Sequence, residues 1–411
     1  MFKKLNKKVV SNIISLLILQ GANYILPLIT LPYLVRVLGA EKFGILAFAL
    51  AVVRYFQIFI EYGFNLSATR EISIHIKNKK YISQVFSTVI IIKTCFLIFS
   101  FLILFVAINI FDRLYVNKLV YYFTFLMLIG NVLFPVWYFQ GIEKMKYITY
   151  INISAKVFFT VLIFVFIKKS SDYIYVPLIN SLGIILAGLI AFFIALKEVK
   201  FVLPKVKMFI DLFKESTHLF IANVSITLFT ASNVFILGLF ANDSIVGIYS
   251  SIERLIQAIK NLFVPIYQGI FPWLSRKDKE EIKIFIKKIM PFVFLFSFIL
   301  TIFIFMFSKQ ILQVIYNNDI ITQHYYILQI FSLIPVLSAL NMLFNFLYLN
   351  AVKAYKIRTK IMIYSGIVNI VCGVILTYFF SIVGITLGVV FTEFVLLLLG
   401  YFTFKRGKIE K

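Results

Sequence analysis

Eight side chains of this sequence are charged in places where charge is costly. Arg54, Glu61, Lys93, Lys156, Glu253, Arg254, Lys260 and Glu393 all fall inside long apolar runs. At the centre of a membrane helix each would cost about 2.5–3.5 kcal/mol if it faced lipid. Eight such penalties cannot all stand uncompensated, so most of these groups must pair with one another or line a wet cavity. Bases there can offset an anionic ligand, and a buried carboxylate can take up and release a proton. Spacing supports shared faces. Arg54, Gln57 and Glu61 follow i, i+3, i+7, as do Glu253, Gln257 and Lys260, while Arg254, Gln257, Asn261 and Gln268 form an overlapping stripe. Uncharged polar lines accompany them: Gln20, Asn23 and Thr30; Asn223, Thr227 and Thr230; Asn341 and Asn345; Ser365, Asn369, Gly373 and Thr377. Such amides and hydroxyls either tie helices together or replace water around a polar ligand. Lys93 and Lys156 also lie near enough to expected span ends to snorkel to an interface. Glu393 has no base close to it in sequence.

The elements that carry these residues are membrane helices. Of 411 residues, 62% are apolar and 14% charged, against about 45–50% and 25% in soluble domains. A span needs about 20 apolar residues, and twelve stretches qualify, at 10–35, 43–64, 85–110, 118–140, 148–167, 173–196, 216–240, 246–271, 284–308, 325–349, 358–380 and 382–403. The first is too long for a secretory signal and is followed by no small-residue cleavage site, so it reads as a retained span. The connections are short, which leaves no room for a separate soluble domain. Prolines 27, 32, 265, 272 and 335 are expected to kink their helices.

Charge orients the spans. With the N-terminus, the C-terminus and every second connection on one side, that side holds 29 Lys and Arg and the other holds 7. The positive-inside rule then places both termini in the cytoplasm. Most of the net charge of +24 is thereby a topology signal, and no nucleic-acid partner is needed to explain it.

Several chemistries are disfavoured. Cys95 and Cys372 sit in separate apolar runs, and His75, His218 and His324 are far apart, so neither a disulfide framework nor a metal site is expected. The sequence lacks a GxxxxGK[ST] phosphate loop, so no nucleotide cofactor is expected.

The basic, amphipathic connection KEVKFVLPKVKMFIDLFKES divides the spans six and six. Aligning Gly44 with Gly247 pairs a short polar turn and a Gly-Ile step in each half, followed by Arg54 in one and Arg254 in the other. Six spans per half start both halves on the same side and make them parallel repeats. The expected fold is an all-α polytopic membrane protein: 12 transmembrane helices in two parallel-repeat six-helix bundles around a central cavity, residues 1–206 forming the first and 207–411 the second.

At this point a resemblance enters. NYILPLITLPYLVRVLGAEKFGILAF, EYGFNLSATREIS and PVWYFQGIEKMKYIT, with LFKESTHLFIANVSITLFTASNVFILGLFANDSIVGIYSSIERLIQAIKNLFVPIYQGIFPWLS in the second half, resemble the O-antigen and capsular polysaccharide flippases of the Wzx type. The resemblance spans nearly the whole chain. It implies a superfamily shared with multidrug antiporters and lipid II flippases, a bacterial cytoplasmic (inner) membrane location and transport of undecaprenyl-diphosphate-linked oligosaccharides to the periplasmic leaflet. It also implies partners: membrane lipids, a coupling H⁺ or Na⁺, and other polysaccharide assembly proteins. Related lipid II flippases keep cavity arginines on helices one, two and eight; Arg54 and Arg254 match the last two, and the first span here has no internal arginine.

Diphosphate binding is accordingly expected of Arg54, Arg254, Lys260, Lys93 and Lys156. Sugar contacts are expected of Gln57, Gln257, Asn261, Gln20, Asn23, Asn341 and Asn369, and ion coupling of Glu61, Glu253 and Glu393. The rival reading is a multidrug or small-molecule cation antiporter, for which five bases against three acids within the spans is the wrong balance. A membrane glycosyltransferase or ligase is disfavoured by the lack of a large outer loop, so no enzymatic step is expected.

Overall fold

The computed structural model describes residues 7–406, without the side chains of residues 7–20, 22–25, 28, 218, 221–223 and 225–231. Each of the twelve apolar stretches is mostly helical, with short breaks at 62–63, 134–135, 262–263 and 332–333, and among the described residues there is no strand. Two helical stretches, Lys7–Glu61 (55 residues) and Tyr355–Arg406 (52 residues), would run about 83 and 78 Å at 1.5 Å per residue. Either exceeds two hydrocarbon cores of about 30 Å. Each breaks where consecutive spans were expected to join, the first at Gly39 (φ 76) and the last at Ser381 (φ 48).

Two of the five prolines do not stand in a helix interior, where a kink is expected, and Pro272 does. Pro27 and Pro32 lie in continuous helix. Pro265 and Pro335 occupy the first turns of Val264–Leu274 and Ile334–Asn341, where a missing N–H costs no hydrogen bond. Several helices outrun their apolar stretches. Lys79–Ile110, Val206–Phe240 and Lys279–Tyr316 each begin with charged turns, since a helix need not stop where lipid does.

The chain forms two compact units: Met1–Thr30 with Ala49–Val224, and Leu31–Phe48 with Ser225–Lys411. Each contains a segment from the other half of the sequence, and side-chain contacts explain why. In the first unit, the start of Val206–Phe240 is held by Tyr62, whose ring stacks on Phe213 at 4.8 Å and Phe220 at 4.5 Å. Ser67 meets Ser216 at 2.7 Å and Arg70 meets Glu215 at 2.5 Å. The preceding connection is strapped down by two backbone N–H groups, Lys200 donating to Ser83 Oγ (3.1 Å) and Val202 to Ser87 Oγ (2.9 Å). The core gathers Phe64, Phe86, Trp137, Tyr138 and Phe139. Lys118–Leu133 and Tyr175–Leu196 approach closely through Gly130 and Gly188; a Cβ on Gly188 would lie 2.5 Å from the Gly130 carbonyl. Small residues at such crossings let membrane helices gain van der Waals contact that lipid cannot supply. At one connection Asp172 Oδ2 accepts from the backbone N–H groups of Lys168 and Lys169, both at 2.9 Å, which hold its carboxyl below the usual range.

In the second unit Arg36 satisfies the end of Lys279–Tyr316, donating to the carbonyls of Val314 (2.9 Å), Ile315 (2.6 Å) and Tyr316 (3.2 Å). Those carbonyls have no partner within the helix, and a cation there also complements the helix dipole. Gly44 and Gly247, aligned from sequence, meet face to face. A Cβ on Gly44 would strike the Asp243 carbonyl and lie 2.7 Å from Gly247 N; one on Gly247 would strike the Ala40 carbonyl and lie 2.9 Å from Gly44 N. Gly44→Ala and Gly247→Ala are therefore each expected to lower stability by about 1–3 kcal/mol through overpacking. Because the contact is reciprocal, the two losses should be similar. Thermal unfolding of the purified protein measures them, and a melting point unmoved by either substitution would contradict the contact.

A second motif recurs between the halves. Glu143 (φ 57) and Lys353 (φ 62) each end a helix in the left-handed region. In one, Lys144 N donates to Phe139 O and Ile142 N to Tyr138 O; in the other, Ala354 N donates to Leu349 O and Val352 N to Tyr348 O. The hydrogen-bond pattern is the same, and neither turn uses the glycine usual at such a cap.

Candidate functional site

The first unit encloses a pocket of about 140 Å³ lined by Glu61, Lys93, Lys156 and four asparagines, Asn65, Asn131, Asn152 and Asn180, with Phe134 and Phe159 among its apolar walls. The charged residues come from three helices: Glu61 ends the second half of the first long helix, Lys93 lies midway along Lys79–Ile110, and Lys156 midway along Met145–Phe166. Lys93 is 2% exposed and donates to the backbone carbonyl of Asn131 at 3.1 Å. It does not snorkel outward. The stripe read from spacing is a hydrogen-bonded relay: Arg54 donates to Gln57 Oε1 at 2.5 Å, and Gln57 Nε2 donates to Glu61 Oε1 at 2.8 Å. Arg54 is exposed at one end, and Glu61 reaches the pocket at the other.

Two polar clusters lie in the second unit. Lys260 forms an ion pair with Glu393, whose side chain is 4% exposed. Glu393 Oε2 also accepts from Asn341 Nδ2 at 2.6 Å, and the same amide donates to the Glu393 carbonyl at 3.0 Å. Asn345 extends the cluster, donating to Asn341 Oδ1 (3.3 Å) and the Leu396 carbonyl (3.0 Å). Asn345 lies in the π-helical turn Met342–Tyr348, and its amide fills the space where Gly400 has no Cβ. A π turn shifts the register of a helix by one residue and is frequent at functional positions. The second cluster centres on Glu253, which accepts from Tyr249 OH at 3.0 Å and Asn233 Nδ2 at 3.2 Å.

The structure thus redistributes the residues expected to act together. Glu253 and Lys260 share a helix face but take different partners. Glu393, without a base near it in sequence, has Lys260 in space. Arg254 is exposed and its guanidinium lies 5.3 Å from the Phe43 ring centroid. Asn369 is buried and accepts from Ser232 Oγ at 3.4 Å. Gln257 and Asn261 are partly exposed. Gln20, Asn23, His218, Asn223, Thr227 and Thr230 have side chains outside the described residues. Sequence reasoning missed Asn65, Asn131, Asn152 and Asn180. Asn131 and Asn180 have no charged residue at helical spacing, whereas Asn65 and Asn152 stand four residues from Glu61 and Lys156, a spacing that was the available signal.

Comparison with known proteins identifies the family. Residues 9–278 match the model described as polysaccharide biosynthesis protein. A protein of Escherichia coli (strain K12) named "Putative O-antigen transporter" is 32% identical over 394 residues, covering 93% of each chain. One of the same description from Shigella dysenteriae is 26% identical, covering 94% of this chain and 98% of its own. Among solved structures, the lipid II flippase MurJ in an inward closed conformation has a TM-score of 0.69 at 14% identity, covering 96% of this chain and 87% of its own. An inward-facing multidrug resistance MATE family transporter of the MOP superfamily has a TM-score of 0.65 at 14% identity, covering 93% of this chain and 95% of its own. At that identity the likeness establishes the fold, a multi-pass all-α membrane protein. With two thirds of its length matched by the family model and a full-length relative above 30% identity, the chain belongs to the polysaccharide biosynthesis protein family, as its sequence resemblance implied.

Proposed function

We propose that this protein is a flippase for undecaprenyl-diphosphate-linked oligosaccharide repeat units of an O-antigen or similar surface glycan. It carries them from the cytoplasmic to the periplasmic leaflet of the bacterial inner membrane, with both its termini in the cytoplasm. The family supplies the class of cargo. The observation that carries the chemistry is the first-unit pocket, where two lysines, one glutamate and four asparagines converge within apolar helices. A diphosphate and a hydroxyl-rich head cannot cross hydrocarbon unaided, because each polar group stripped of water costs several kcal/mol. Bases offset the diphosphate charge, and side-chain amides replace water around the sugar. Arg54 and Arg254, both exposed, are proposed as first contacts for the diphosphate, with Gln57, Gln257 and Asn261 as sugar contacts.

The two six-span halves, 1–206 and 207–411, alternate access to the two leaflets. An H⁺ or Na⁺ gradient supplies the energy through Glu61, Glu253 or Glu393. The chain moves its cargo without transforming it, and other polysaccharide assembly proteins act before and after it.

Deletion of the gene tests this reading. The expected result is loss of surface glycan, accumulation of undecaprenyl-diphosphate-linked repeat units inside the cell and unchanged drug sensitivity. Normal surface glycan would overturn it, and raised drug sensitivity with normal glycan would favour the antiporter.

A further inference from the structure

The connection between the sixth and seventh spans exposes more apolar surface than a segment facing water would. It joins a helix ending at Leu196 to the apolar stretch that begins at residue 216, so it lies where two spans reach the membrane surface. Phe201, Leu203, Val206, Phe209 and Ile210 are all exposed, and Leu203, at 89%, is the most exposed large apolar side chain among the described residues.

Two local geometries turn these side chains outward. Along the first part exposure alternates, as in an extended chain. The backbone N–H groups of Lys200 and Val202 are tied to Ser83 and Ser87, Val202 and Pro204 are half-buried, and Phe201, Leu203 and Lys205 are exposed. From Val206 the chain is helical. Val206, Phe209 and Ile210 follow i, i+3, i+4 and share one exposed face, while Met208, Leu212 and Phe213 pack on the first-unit core. This helix start therefore has apolar residues on two sides, and only one side is filled by the chain itself. A surface helix in water carries polar residues on its outer side.

The charge beside this face is strongly positive. Lys197, Lys200, Lys205, Lys207 and Lys214 are exposed. Of the three acids in the same segment, Glu198 is paired with Lys144 and Glu215 with Arg70, so little remains to offset the lysines. Exposed apolar residues such as Phe292, Phe296 and Met306 differ, because they lie within a span and meet the hydrocarbon of any lipid.

We infer that this connection is an interfacial anchor for anionic phospholipid. Its apolar face inserts at the boundary between headgroups and acyl chains, as amphipathic segments with basic flanks do. The lysine stems run along that boundary and their ammonium groups hold anionic headgroups. Each lysine near an anionic surface is worth about a fivefold gain in attraction, which a zwitterionic bilayer does not supply. The anchor involves no residue proposed to touch the cargo and does not depend on the flippase reading.

The test uses the full chain carrying Leu203→Trp, in nanodiscs of equal parts phosphatidylcholine and phosphatidylglycerol. Either lipid is replaced in turn by a form brominated near the headgroup end of its acyl chains, which quenches an indole beside it and leaves headgroup composition unchanged. Emission of the parent protein, from Trp137 and Trp273, is subtracted. The introduced indole is expected to be quenched by brominated lipid and shielded from aqueous iodide. Brominated phosphatidylglycerol should quench about twofold or more as strongly as brominated phosphatidylcholine, because the lysines enrich it locally. Adding Lys200→Gln, Lys205→Gln and Lys207→Gln should bring the two lipids to parity while quenching persists, and high salt should do the same. An indole open to iodide and untouched by either brominated lipid would overturn the anchor and point to a soluble partner for this face. Equal quenching by both lipids, or a preference unchanged by the glutamine substitutions, would overturn the anionic lipid as its occupant.

Discussion

Lys260→Met is expected to destabilise the protein by about 3–5 kcal/mol, because it leaves the Glu393 carboxylate buried without its counter-charge. The asymmetry of the pair sharpens the expectation. The Glu393 side chain is 4% exposed, whereas that of Lys260 is 21% exposed. Glu393→Gln strands an ammonium that can still reach a polar environment, and a neutral amide at 393 can still accept from Asn341. Glu393→Gln should therefore cost less than Lys260→Met. The double variant should recover much of the loss, since the stranded charge is gone. Unfolding of purified protein across the four combinations gives the coupling free energy of the pair. A Lys260→Met protein as stable as the parent, or a double variant no better than Lys260→Met alone, would remove the buried pair from the account.

The second large effect is on export. Arg54→Ala with Arg254→Ala is expected to abolish surface glycan while leaving protein level unchanged. Both residues are exposed, and the hydrogen bond lost from Arg54 to Gln57 is of a kind worth about 0.5–1.5 kcal/mol, too little to unfold the protein. Lost export in this variant then reports lost ligand contact and not misfolding. Lysine at the same positions should restore export in part, because it keeps the charge and loses the planar fork that grips a phosphate through two parallel hydrogen bonds. Quantitative immunoblotting of membranes beside surface-glycan staining decides the matter. Full export by the double alanine variant would remove both arginines from the proposed diphosphate path.

How much of this was legible beforehand depended on sequence distance. Apolar runs located the twelve stretches because hydrocarbon thickness sets their length. Relations within one helix were also legible: Arg54, Gln57 and Glu61 are linked as their spacing implied. Relations between helices were not. Lys260 finds Glu393 from 133 positions away, and Lys93 finds the Asn131 carbonyl from 38; no periodicity encodes either. Glu253 shows the limit from the other side, since sharing a face with Lys260 did not make them partners. The π turn at Met342–Tyr348 and the left-handed caps at Glu143 and Lys353 carry none of the glycine or proline that usually announces an irregularity. The exchange of Leu31–Phe48 and the stretch up to Val224 between compact units was equally silent. A helical repeat says which face is polar and not which neighbour that face will meet.

The Gly44–Gly247 contact has a mechanical consequence. Where side chains separate two helices, a change of rotamer can absorb a small displacement. Here peptide groups touch peptide groups, and peptide groups are planar and have no rotamers. Nothing at that point can be compressed or reshaped, so the separation of the two segments is fixed there. Movement between them is confined to turning about the contact, as two rods do when their rigid surfaces bear on one another.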